Sequence, residues 1–91
     1  MVIGREARRL GQLPRIRAEF PNHGDAVVQI IDLFELAWHD TFGDIEAPEA
    51  VMDDIFVLAA GDLVGFVGAA RLAVQDWRDL RVAADRLRLM D

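Results

Sequence analysis

Between Leu63 and Leu87, the residues Leu63, Phe66, Ala70, Ala73, Trp77, Leu80, Ala84 and Leu87 follow one another in alternating steps of three and four. A strand presents every second residue on a face and cannot gather that set. A helix can, and the heptad spacing predicts one of about 28 residues, roughly 42 Å long, packed at a shallow left-handed angle against neighbouring helices. Trp77 is the bulky aromatic among Ala70, Ala73 and Ala84, so it is expected to anchor this seam, with the alanines making room for it or for a facing Trp38.

The seam runs backwards in phase through Ala59, Phe56 and Met52, as one continuous helix from Pro48 requires. Against continuity stands "AAGDL", Ala59 to Leu63. Glycine is favoured just past a helix C-terminus and aspartate at an N-cap, so the stretch reads as a tight helix–helix turn at Gly61-Asp62. It resembles the turn of a tetratricopeptide-type helical hairpin over those five residues. Phe66 departs from that repeat, which has a small residue there, and no function is carried across. Val51, Met52, Ile55, Leu58 and Ala59 give the preceding helix its apolar face, with Pro48 in its first helical position.

Residues 26–42 carry a further amphipathic pattern. Val27, Ile30, Ile31, Phe34, Ala37, Trp38 and Phe42 share one face, Leu33 and Leu36 widen it on one side, and Gly43 ends the helix. "PNHGD", Pro21 to Asp25, reads as a turn with Asp25 as N-cap. The expectation is one all-α domain: a basic, irregular or short-helical N-terminal arm over residues 1–24, then a three-helix bundle over 25–91 ending in the long heptad helix.

Charge is segregated along the chain. All ten basic residues are arginine, and the net charge is −6. Residues 1–17 hold Arg5, Arg8, Arg9, Arg15 and Arg17 against Glu6 alone, while residues 18–70 hold eleven acids and no lysine or arginine. The arm is therefore expected to lie on the acidic middle, in the same or a neighbouring chain. Arginines contact phosphate well, so Arg8, Arg9, Arg15 and Arg17 are also the residues by which the arm could touch nucleic acid. Three features argue against that partner: the acidic whole, the lack of a helix-turn-helix with a basic recognition helix, and the lack of interleaved aromatics.

Chemistry is restricted by what is missing. Cysteine, serine, tyrosine and lysine are absent, which removes most nucleophiles, several general acids and any disulfide or thiolate metal site. Asp32, Glu35 and His39 fall within about 60° on a helical wheel, and Glu35 and His39 at i and i+4 reach toward one point. They flank the apolar face on the side away from Leu33 and Leu36, so they read as a solvated stripe and not as an inward-facing metal site completed by Asp53 or Asp54. No catalytic residue, metal or other cofactor is expected, and the chain reads as a non-enzyme. Ile55 to Val74 is long enough to span a bilayer, but Asp62 near its centre costs roughly 2.5–3.5 kcal/mol on insertion, so a buried hairpin is expected and no membrane partner. The lack of cysteine and of an apolar leader after "MVIGREARRLG" points to the cytoplasm.

Apolar residues make up 53% of the chain. A domain of this size buries only roughly 60–65% of its unfolded surface, so some apolar surface is left over. Leu72, Trp77, Val82, Leu89 and Met90 of the long helix are expected to form an interface with a second copy. The leading functional expectation is a helical protein–protein interaction module, a homodimer. The alternative is a small regulatory protein of antitoxin-like architecture, with a nucleic-acid-contacting arm and a partner-binding acidic bundle. Gly65 and Gly68 face away from the seam, reflecting either compositional drift or a close helix backbone.

Overall fold

The computed structural model describes residues 3–90, with side chains from residue 7 onward. Arg5 and Glu6 of the basic arm, and Asp91, thus lie outside the described side chains. Among the described residues the chain is entirely helical outside its turns: α1 (Ile3–Glu19), α2 (Gly24–Phe42), α3 (Glu49–Ala59) and α4 (Leu63–Leu89).

The N-terminal segment differs from the expected irregular arm. It is a 17-residue helix that carries Gly11 and Pro14 in its interior. Local propensity disfavours both residues there, and tertiary contacts override it. Ile16 is 1% exposed and Phe20, just past the helix, is 2% exposed, in the same core cluster as residues of α2, α3 and α4. Leu13 packs against that cluster. The assembly is thus built from four helices, with α1 contributing to the core.

The turn at Gly61-Asp62 is present. Ala60 and Gly61 both take left-handed backbone angles (φ 51° and 77°), and the Asp62 carboxylate accepts from the Gly65 N–H at 2.8 Å. This reversal folds α3 back onto α4. Gly65 is needed here, because a Cβ would stand 3.2 Å from the Ala59 carbonyl oxygen, whereas Gly68 faces open space.

Helix α2 starts at Gly24, one residue before the expected cap. His23 occupies the N-cap without a side-chain bond, and Asp25 sits in the first turn, where the helix dipole favours an acid. Gly43 closes α2 in the left-handed region with its N–H on the His39 carbonyl, 2.8 Å away. Pro48 caps α3 from outside, and helical geometry begins at Glu49.

The core centres on aromatic contacts. Phe20, Phe56 and Phe66 stack edge-on, with ring centroids 5.1–6.4 Å apart. Phe66, Ala70, Ala73, Leu80 and Ala84 of the seam are buried, as the spacing predicts. Trp77 is not: it is 37% exposed, with the Arg78 guanidinium over its ring. The cause lies beside it. Asp76 has extended backbone angles (φ −161°, ψ 87°) inside α4. Its carboxylate accepts from the N–H groups of Arg78 and Asp79 at 3.1 and 3.2 Å, which caps a new helical segment. The heptad helix is therefore kinked, and Trp77 sits at the fresh N-terminus instead of in mid-seam.

The molecule measures 41 × 30 × 19 Å. With helices about 10–12 Å across, its short dimension holds two layers. No described helix is long and apolar enough to cross a membrane.

Candidate functional site

Two features stand out beyond the core: an ion-pair network joining three helices, and apolar surface left uncovered on α4 and beside α2.

The network is centred on Asp53 and Asp54 of α3. Asp54 is the buried charged residue of the described core, 1% exposed. Its carboxylate receives Arg81 at 2.6 Å and Arg88 at 2.7 Å, both from α4. Asp53 receives Arg15 of α1 at 2.5 Å and Arg88 at 2.6 Å. The Arg15 hydrogen bond, helped by Arg88, holds the Asp53 carboxyl below the usual carboxylate range against the opposing pull of its partial burial. The Arg15 guanidinium also lies over the Phe56 ring, 4.6 Å from its centroid. These contacts clamp α1 and the C-terminal half of α4 onto α3. A charge buried without partners is expensive, so the clamp also favours one arrangement of the three helices.

The other arginines of α1 are distributed similarly. Arg8 binds Glu46 at 2.9 Å and the Ala47 carbonyl. Arg9 pairs with Asp32 of α2. Arg17 is exposed, and among the described residues it makes no ion pair. Arg8, Arg9 and Arg15 thus lie against acids of the middle of the chain, and Arg17 does not.

Asp32, Glu35 and His39 are brought together, but in company the wheel reading missed. They line a groove of about 760 Å³ with Arg9, Leu10, Leu36 and Ile45. Leu36 follows Asp32 by one turn, i to i+4, so it shares their face instead of lying on the far side of the helix. The His39 Nδ1 N–H donates to the Asp44 carbonyl at 3.0 Å. Asp53 and Asp54 do not join this set, because they face arginines of α1 and α4. Among the described residues no group of three or more such side chains is placed to hold a metal ion.

The interface candidates of α4 separate into two sets. Val82 is 52% exposed, Leu89 85% and Met90 79%, and Trp77 is the half-covered neighbour of this set. Leu72 instead packs partly against the core. Val64 and Val67 add exposed apolar surface toward the N-terminal end of α4. Comparison with known protein families, curated proteins and solved structures finds no match for this chain.

Proposed function

We propose that this chain is a non-enzymatic helical interaction module that self-associates as a homodimer through the outer face of α4. The observation that carries the reading is Val82, Leu89 and Met90 standing exposed on a helix whose opposite face is buried in the core. A two-layer slab has no further element with which to cover them, and contiguous apolar surface of this kind marks interaction sites. Trp77, half-buried beside them, adds the type of aromatic anchor that interfaces favour. Leu72 contributes from the core side and supports the helix that presents the patch.

The ion pairs of Arg8, Arg9 and Arg15 support this reading over an antitoxin-like nucleic-acid arm, because those guanidinium groups are already occupied by acids. Light scattering on the Val82→Glu/Leu89→Glu variant tests the proposal. Both positions are solvent-exposed, so the variant should keep its helical circular dichroism while its molar mass falls from that of a dimer to that of a monomer. A folded variant that remains dimeric would place the interface elsewhere.

A further inference from the structure

A self-associating helix face needs a receiving surface. The outer face of the C-terminal half of α4 reads Arg78, Val82, Arg86, Leu89, at helical steps of four, four and three. Val82 and Leu89 are exposed, and among the described residues neither Arg78 nor Arg86 makes an ion pair. This is an apolar stripe flanked by free cations. The groove between α1 and α2 has the opposite chemistry. Leu10, Leu36 and Ile45, at 66%, 60% and 76% exposure, form its apolar lining. Arg9 is neutralised by Asp32, and Glu35 has no ion-pair partner among the described residues, so the rim carries an unbalanced negative charge.

We propose that the Arg78–Leu89 face of α4 in one copy seats in the α1–α2 groove of a second copy, and that two copies related by a two-fold axis make this contact twice. The proposal rests on the homodimer reading and specifies its geometry. Val82 and Leu89 would lie on Leu10, Leu36 and Ile45, and the flanking arginines would face Glu35, as an amphipathic helix seats in a groove. The contact cannot form within one chain. No α4 residue lines the groove, and Leu80 and Ala84 hold the inner face of the same helix segment in its own core. A one-way contact either propagates into an open polymer or closes, and a two-fold axis closes it at two copies. The alternative, α4 against α4, sets Arg78 and Arg86 of the two copies near one another, while Asp85 is already held by Arg88 at 2.7 Å.

Charge reversal with mixing tests the pairing. Glu35→Arg places a cation opposite the α4 arginines, and Arg78→Glu/Arg86→Glu places acids opposite Glu35. Each variant alone should dimerise about tenfold or more weakly than the wild type, since like charges are then juxtaposed. An equimolar mixture of the two should recover dimerisation, because the heterodimer has one native contact and one charge-swapped contact, both complementary. Ile45→Glu, in the α2–α3 loop and outside any helix, should weaken dimerisation similarly and serves if Glu35→Arg loses its helical circular dichroism. Sedimentation equilibrium reads all four samples. A dimeric wild type whose Glu35→Arg and Ile45→Glu variants associate as tightly as it does, or whose charge variants fail to recover on mixing, overturns the groove contact and leaves the homodimer standing. A wild type that is monomeric at high micromolar concentration overturns both.

Discussion

Trp38 is 4% exposed and donates its indole N–H to Asp44 at 3.1 Å, whereas Trp77 is 37% exposed beneath Arg78. Both stand on apolar helical faces in the sequence, and counting residues cannot separate them. Trp38→Ala should cost about 3–5 kcal/mol, the range for a buried aromatic, and Trp77→Ala about 1–2 kcal/mol, measured by urea unfolding. A larger loss at Trp77 would show that the heptad seam continues through the kink after all. Asp54 was legible only indirectly. It reads as one more acid at the head of a helix, but Arg81 and Arg88, seven residues apart, share a face of α4 and signal a buried acid opposite. Asp53 gives this network a pH dependence. Its folded pKa lies below its unfolded value, so its contribution is fully present above about pH 4, the ordinary aspartate value, and is lost as the pH falls through the folded one. The melting temperature should therefore drop on acidification below about pH 4, and Asp53→Asn should remove part of that slope. An unchanged slope would mean that Arg15 and Arg88 do not perturb this carboxyl.

At the scale of elements, apolar spacing and end signals located α2, α3 and α4 to within a residue or two. Gly43 and Gly61-Asp62 end and begin helices where glycine's freedom and an aspartate cap are needed. What spacing could not convey is backbone continuity. Phe66, Ala73, Leu80 and Ala84 keep their phase across Asp76, so the sequence pattern is that of an unbroken helix, while the backbone turns at one residue that caps its own successor. Helix α1 was obscured for the opposite reason. Gly11 and Pro14 are local breakers, and the burial that overrides them comes from residues distant in sequence. Asp76→Ala should remove the cap bonds to Arg78 and Asp79 and cost about 0.5–2 kcal/mol. Hydrogen exchange should show the amides of Arg78 and Asp79 losing protection first. Stability and protection equal to wild type would contradict a capping role for Asp76.

For the whole molecule, the decisive quantity is thickness. A body 19 Å deep, rich in apolar residues, has little interior for its length. Val64, Val82, Leu89 and Met90 on α4, and Leu10, Leu33, Leu36 and Ile45 around the groove, remain at more than half exposure. The composition foretold this excess, but not where it would fall. The wheel placed Leu36 apart from the acids and left Leu10 in an arm without defined structure, so the groove became visible only once α1 lay across α2. Self-association follows from that surplus. Sedimentation equilibrium of the wild-type protein, from low to high micromolar concentration, tests it most directly. The account predicts a concentration-dependent rise to a plateau at twice the 10.2 kDa chain mass. A mass that stays at that of one chain throughout would contradict it.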